Sequence, residues 1–102
     1  MRYFVLEGTH LVPFEEIPSE LKHAHQAFLK EGMEAGVFLF SGPKIPATGG
    51  FLVARAQSPE ALRELLAGEP FTSNGVMVFS STAEFFPRQN AAALNGWFGK
   101  EQ

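Results

Sequence analysis

Four segments of the chain have the apolar character of buried β-strands. They are residues 2–12, 37–40, 51–56 and 76–86. In the first and the last segment both sets of alternating side chains include apolar residues, which predicts strands that are covered on both faces. Gly36 precedes the second segment and Gly42 closely follows it, and this punctuation favours a strand over a helix. We therefore expect a sheet of four strands.

Two other segments repeat their apolar residues at helical intervals. The first helix is predicted to begin at Pro18 and to run to about Ala35. Its predicted apolar stripe consists of Ile17, Leu21, Ala24 and Phe28. The second helix has Ser58 as its cap and Pro59 at its first position, and Gly68 ends it. Both helices therefore carry one apolar face that needs a partner.

The order of these elements is strand, helix, strand, strand, helix, strand. This order is typical of the α+β class and of the ferredoxin-like βαββαβ fold with a four-stranded antiparallel sheet. Right-handed crossovers place both helices on one face of that sheet. The segment 42–50, rich in glycine and proline, is the expected hairpin loop between the second and third strands. The domain is predicted to span residues 1–87.

The sheet face opposite the helices also needs a cover, because the strands are apolar there too. A second copy of the sheet is the simplest cover, and it predicts a homodimer that forms a dimeric α/β barrel. The alternative cover is the C-terminal tail, residues 88–102, which is short for a whole sheet face. Within the tail, Ala91–Leu94 can form a short helix, and Trp97 and Phe98 can pack as an anchor on the domain or on a partner subunit.

The composition excludes several classes of function. A chain of 102 residues forms one domain, and its eleven phenylalanines favour an interface between subunits. Without cysteine it can form no disulfide, thiolate zinc site or thiol nucleophile. The net charge of −3 and the scattered basic residues do not match a nucleic-acid surface. No long apolar run predicts a membrane span or a signal peptide, so we expect a cytoplasmic protein.

The main candidate for chemistry is His25, on the first predicted helix. Residues two apart on a helix point roughly 200° apart, so His23 and His25 cannot serve the same site. His25 lies at the edge of the predicted stripe, whereas His23 lies on the solvent side. A histidine can exchange a proton near neutral pH, and Glu69 is the carboxylate that could orient it. The alternative is that His25 only bonds a backbone carbonyl or water, and that Glu69 is a solvated turn residue.

Three further residues, namely Lys44, Gly42 and Tyr3, are candidates for substrate binding. Lys44 follows the turn at Gly42 and can attract an anion, although loop lysines are usually solvated. Tyr3 shares one face of the first strand with Glu7 and can line a pocket, although a strand tyrosine is more often part of the core.

The three histidines are His10, His23 and His25. No two of them are four positions apart, which is the spacing of metal ligands on a helix, so we predict no metal site. We also predict no cofactor.

Several short motifs occur together in a characteristic order. They are His25–Leu29, Gly32, Gly36, Gly42-Pro43, Gly49-Gly50, Ser58–Ala61, Glu69–Phe71 and Phe85–Pro87. Together they resemble the YciI-like (YCII-related) family of dimeric α/β-barrel proteins, over nearly the whole chain. The resemblance implies cofactor-independent chemistry by a histidine and an aspartate, with some members acting in elimination on substituted aromatic compounds. His25 matches that histidine, whereas Glu69 stands where the family usually has aspartate.

Two hypotheses of function follow. In the first, the protein is a small homodimeric enzyme in which His25 and Glu69 transfer a proton on a small, cyclic or aromatic substrate, in an elimination, isomerisation or hydrolysis. In the second, it is a non-catalytic subunit that binds a small molecule or serves in assembly. The distance between His25 and Glu69 discriminates between them, because an acid/base pair must lie within hydrogen-bond reach or one water apart.

Overall fold

A computed structural model describes residues 1–100 of the chain. The four strands are β1 (Arg2–His10), β2 (Phe38–Pro43), β3 (Gly49–Ala56) and β4 (Met77–Phe85). They form one antiparallel sheet in the order β2-β3-β1-β4. The helices are α1 (Ser19–Glu34), α2 (Pro59–Leu66) and the four-residue α3 (Pro70–Ser73). The predicted α+β, ferredoxin-like fold is confirmed, and no helix within residues 1–100 could span a membrane.

The main core lies between one face of the sheet and the two long helices. Phe4 and Leu6 of β1 pair with Ala54 and Leu52 of β3, and all four side chains are buried. The helices pack on them with Phe28, Leu29 and Met33 from α1 and with Leu62 and Leu66 from α2. Both helices therefore cover the same face, which we call the helix face, as the right-handed crossovers predict.

The stripe of α1 differs from the prediction. Ala24 is exposed, whereas the side of the helix that faces the core carries Leu21, His25, Phe28, Leu29 and Gly32. The reason is that Ile17 is extended, with φ −76° and ψ 127°, so the helical phase begins only after it. His25 consequently lies within the buried stripe and not at its edge.

Gly32 allows α1 to approach the sheet closely. A β-carbon on this residue would lie 2.0 Å from Cδ2 of Phe38, which is far below van der Waals contact. The ring of Phe38 therefore fills the place that a side chain at Gly32 would occupy. This contact fixes the height of α1 above β2, and with it the height of His25.

Several boundaries differ from the prediction by one or more residues, and three of them have local explanations. β1 ends at His10 and not at Val12, and Pro13, which has no N–H, could not have continued the ladder. β2 continues to Pro43, since an edge strand tolerates a proline without a free N–H. The hairpin loop therefore shrinks to residues 44–48, and β3 begins at Gly49.

The face opposite the helices, which we call the outer face, is covered only at one end. The tail crosses that end: the hydroxyl of Tyr3 donates to the carbonyl oxygen of Phe98 at 2.9 Å, and Arg55 donates to the carbonyl oxygen of Trp97 at 2.6 Å. The short helix of the tail is a single 3-10 turn, Ala92–Leu94. Apolar side chains elsewhere on this face stay exposed, namely Phe40, Phe51 and Val78. Residues 101–102 of the predicted tail lie outside the described residues.

Candidate functional site

Glu69 is the buried carboxylate at the centre of the site. It precedes Pro70, which restricts it to an extended conformation, with φ −68° and ψ 123°. Its side chain turns back as the N-cap of α3, where Oε1 accepts from the N–H of Phe71 at 3.0 Å and Oε2 from that of Thr72 at 2.8 Å. Glu69 is therefore the buried cap of a short helix and not a solvated turn residue.

His25 meets this carboxylate from α1, 44 positions earlier in the chain. Its Nδ1 lies 2.5 Å from Oε1 of Glu69. The side chain of His25 keeps 16% of its exposure and that of Glu69 only 1%, so the pair is largely withdrawn from water. The imidazole lies flat on the ring of Phe71, with centroids 3.8 Å apart and planes 2° from parallel. Both the hydrogen bond and the stacking fix the orientation of the imidazole.

The electrostatics of the pair determine its hydrogen-bond polarity. Burial raises the pKa of Glu69, but the bond to His25 and the N–H groups of Phe71 and Thr72 favour the ionised carboxylate, and the net effect lowers this pKa below its ordinary value. The carboxylate is therefore ionised at neutral pH and can only accept. Nδ1 of His25 must then carry the proton of the shared bond. In the neutral ring this leaves a lone pair on Nε2.

A pocket of about 440 Å³ lies beside the pair, between α1, α3 and the helix face of the sheet. Much of its wall is apolar, with side chains of Phe14, Leu29, Leu52, Phe71, Met77 and Phe79. Glycines form another part of the wall, namely Gly8, Gly42, Gly49 and Gly50. No lysine or arginine of the described chain lines it. The pocket therefore suits a small, mainly apolar ligand.

Two other cavities, of about 490 and 760 Å³, lie beside the tail and the end of β4. Neither of them is lined by a histidine. The pocket beside His25 is therefore the candidate functional site, because within residues 1–100 it is the one of the three cavities in which an oriented imidazole lies beside an ionised carboxylate.

The structure brings together only some of the residues that the sequence suggested. Gly42 lines the pocket with His25 and Glu69. Lys44 does not line it, because its ammonium group pairs with Glu7 Oε2 at 2.9 Å on the outer face. Tyr3 also lies on the outer face, under the tail.

The other histidine of α1 lies away from the pocket. His23 is exposed on α1, on the side away from the pocket. No group of three or more possible metal ligands lies together within residues 1–100.

Two residues of the pocket were not among the predicted site residues. Phe71 provides the surface on which His25 lies, and His10 lines the pocket from the end of β1. His10 shares the helix face with Leu6, at the even positions of β1, whereas Tyr3 and Glu7 are at odd positions. Strand alternation could have separated these sets, but both faces of β1 are apolar in sequence, so it did not show which face bears the pocket.

The fold and this pocket define the class to which the protein belongs. It has the fold of the dimeric α/β-barrel proteins, with a histidine and a carboxylate at a pocket between the helices and the sheet. The model of the YCII-related domain matches residues 1–83. The chain therefore belongs to the YCII-related family.

Comparison with solved structures gives the same fold. One is the 5-chloro-2-hydroxyhydroquinone dehydrochlorinase TftG of Burkholderia phenoliruptrix AC1100, in complex with 2,5-dihydroxybenzoquinone; it is 20% identical, with a TM-score of 0.65, over 86% of this chain and 95% of that one. Another is muconolactone isomerase, 16% identical, with a TM-score of 0.65, over 88% of this chain and 92% of that one. No curated protein sequence matches the chain.

Proposed function

We propose that this protein is a small enzyme in which His25 and Glu69 transfer a proton on a small cyclic substrate, without a cofactor. The observation that carries the proposal is the contact between Nδ1 of His25 and Oε1 of Glu69 at the wall of an apolar pocket. It meets the distance requirement for an acid/base pair. The glutamate, although one methylene longer than the family's usual aspartate, reaches the histidine.

The proposed chemistry follows from the polarity of the pair. Nε2 of His25 has no hydrogen-bond partner within the described residues, so its lone pair is free to remove a proton from a ligand in the pocket. The carboxylate of Glu69 then stabilises the imidazolium, and the ring can deliver the same proton to another atom of the substrate or to a leaving group. Isomerisation and elimination both consist of such steps. In a hydrolysis, the same nitrogen would activate a water molecule.

Both structural neighbours have names that point to small oxygenated ring compounds. The dehydrochlorinase is in complex with 2,5-dihydroxybenzoquinone, and the other neighbour is an isomerase of a lactone. Apolar walls and the lack of lysine or arginine fit such a ligand in this chain as well. We therefore propose hydroxylated quinones and unsaturated lactones as the first substrates to screen.

The test is a turnover screen of that panel with the wild type and two variants. His25→Gln retains an amide that can donate to Glu69 but cannot take up a proton, whereas His23→Gln makes the same change two positions away on the exposed side of α1. We expect His25→Gln to reduce turnover by about 100-fold or more, and His23→Gln to leave it unchanged. Equal activity of the wild type and His25→Gln would contradict the proposal. Binding without turnover would favour the non-catalytic alternative.

We also propose that the outer face joins a second copy of the chain into a homodimer. The exposed side chains of Phe40, Phe51 and Val78 support this, since the tail covers only the other end of that face. Light scattering during size-exclusion chromatography should give twice the chain mass for the wild type. Val78→Glu should shift it toward the monomer, and His23→Glu should not. A monomeric wild type would refute the proposal.

A further inference from the structure

The pocket contains a second imidazole that the proposed chemistry has not yet used. His10 ends β1, where it pairs with Met77, and it lines the same pocket as His25. Its ring lies between two phenylalanines: it stacks on Phe14, with centroids 5.8 Å apart, and meets the ring of Phe71 edge-on at 6.0 Å. These two contacts hold the imidazole in one orientation.

Phe71 also sets the separation of the two histidines. His25 lies 3.8 Å from that ring and His10 lies 6.0 Å from it, so the two imidazoles are no farther apart than the sum of these distances. Within the described residues no hydrogen bond joins them. A ligand with a single ring can therefore face both of them at once.

The hydrogen-bond state of His10 indicates its tautomer. Its Nδ1 is buried and has no partner within the described residues. A buried N–H without an acceptor is rarer and more costly than a buried lone pair, so Nδ1 carries the lone pair. The proton of the neutral ring is then on Nε2, which is not among the buried unpaired atoms. Because His10 lines the pocket, we infer that this is the ring nitrogen that faces a ligand there.

The surroundings of His10 also keep it neutral. Burial lowers the pKa of His10, the charge of His25 lowers it further whenever that ring is protonated, and the charge of Lys44 acts in the same direction. A neutral ring with its proton on Nε2 is a hydrogen-bond donor at that atom. His25 has the opposite arrangement, with its proton on Nδ1 and its lone pair on Nε2.

We propose that His10 is a second catalytic residue, which donates its Nε2 proton in a hydrogen bond to a carbonyl or phenolic oxygen of the substrate that His25 deprotonates. The inference rests on the proposed function and specifies its substrate class as small, uncharged carbonyl compounds with an acidic C–H beside the carbonyl. His10 keeps its own proton throughout.

The proposed step balances in protons and electrons. Nε2 of His25 takes the proton from the carbon next to the carbonyl. The electron pair of that C–H bond forms a carbon–carbon double bond, and the π pair of the carbonyl moves to its oxygen, where the negative charge accepts the hydrogen bond from His10. When the carbonyl re-forms, the dienolate of a β,γ-unsaturated substrate takes the proton back from His25 at its γ carbon, and the double bond moves into conjugation. An enolate with a leaving group on its β carbon instead forms a double bond to that carbon and expels the group with its bonding pair.

The first test measures the two tautomers. Long-range proton–nitrogen correlation spectra of the ¹⁵N-labelled protein at neutral pH distinguish a protonated Nδ1 from a protonated Nε2, and His10→Phe and His25→Gln assign the signals. We expect the proton of His10 on Nε2 and that of His25 on Nδ1. A His10 with its proton on Nδ1 would overturn the inference, whatever the activity of the enzyme.

The second test measures binding of two matched probes by the same spectra, namely 4-nitrophenolate and 4-nitrotoluene, which differ in the oxygen. The wild type should prefer 4-nitrophenolate. His10→Phe keeps the aromatic packing and should weaken binding of 4-nitrophenolate by about tenfold, without an effect on 4-nitrotoluene. His10→Gln, which keeps a donor near the position of Nε2, should recover most of that loss.

Equal effects of His10→Phe on both probes, or no preference in the wild type, would overturn the role of His10. Urea unfolding of His10→Phe shows whether the variant folds, and His10→Gln supplies the same comparison with a polar residue. The readout is independent of turnover. Turnover that does not depend on His25 would refute the proposed function. Turnover that depends on His25, in a wild type that does not prefer 4-nitrophenolate, would refute only the role of His10 as a hydrogen-bond donor.

Discussion

The substitution Glu69→Gln should destabilise the fold far more than the same substitution at Glu84. The carboxylate of Glu69 accepts from His25, Phe71 and Thr72 and is 1% exposed. A glutamine has one acceptor oxygen, and its amide nitrogen would face a donor. Loss of one partner of a buried, hydrogen-bonded pair costs about 3 kcal/mol at the low end of the usual range, and we expect that value for the free energy of unfolding.

Glu84 is the matched control. Its carboxylate accepts two bonds from Arg2, both of 2.7 Å, but the pair is exposed. Solvent and salt screen such a pair, so Glu84→Gln should change the free energy of unfolding much less. Urea unfolding of both variants at neutral pH measures the two effects. Equal losses of unfolding free energy in the two variants would refute the argument that burial makes the contribution of Glu69 the larger one.

The stability difference between the wild type and Glu69→Gln should depend on pH, because folding lowers the pKa of Glu69. The pKa of Glu69 is lowered by folding from its ordinary value of 4.5, so the native state favours the ionised form. This contribution to stability is complete above 4.5 and is lost as the pH falls through the lower, native pKa. The difference between wild type and Glu69→Gln should therefore shrink on acidification. A difference that stays constant into acid would contradict the ionised state of Glu69.

Two other predictions concern the scaffold. Gly32→Ala would place a β-carbon against the ring of Phe38, so we expect a loss of about 1–3 kcal/mol in unfolding free energy, whereas Gly96→Ala, with no atom within 4 Å, should have little effect. If both alanines were tolerated, the close approach of α1 would be disproved. Tyr3→Phe removes the bond to the carbonyl oxygen of Phe98 and should cost about 1 kcal/mol, with faster proteolysis of the tail; unchanged proteolysis would contradict this anchor.

Sequence reasoning predicted the order of the elements because the apolar pattern and the glycines and prolines are local signals. It also found His25, although it placed this residue at the edge of the apolar stripe and not within it. The predicted stripe begins at Ile17, which is not helical in the structure, and this early start brings Ala24 into the stripe although its side chain is exposed. A helical period is reliable only between the true ends of the helix.

The contact between His25 and Glu69 could not be derived from spacing, since it depends on two segments that only the fold brings together. The face of β1 raised a related difficulty. The sequence placed Tyr3 and Glu7 on one face but did not show that the helices cover the other, where His10 lies. Lys44 was ambiguous for a similar reason, because its pairing with Glu7 depends on how the hairpin loop folds over the sheet edge.

The double role of Glu69 gives the protein an internal reporter. One carboxylate holds the amide hydrogens of Phe71 and Thr72 and also the imidazole of His25. Any event that draws the carboxylate away from the imidazole must also loosen at least one of these amides. Hydrogen exchange at the amides of Phe71 and Thr72 can therefore report on the contact between Glu69 and His25. This measurement does not require that the substrate is known.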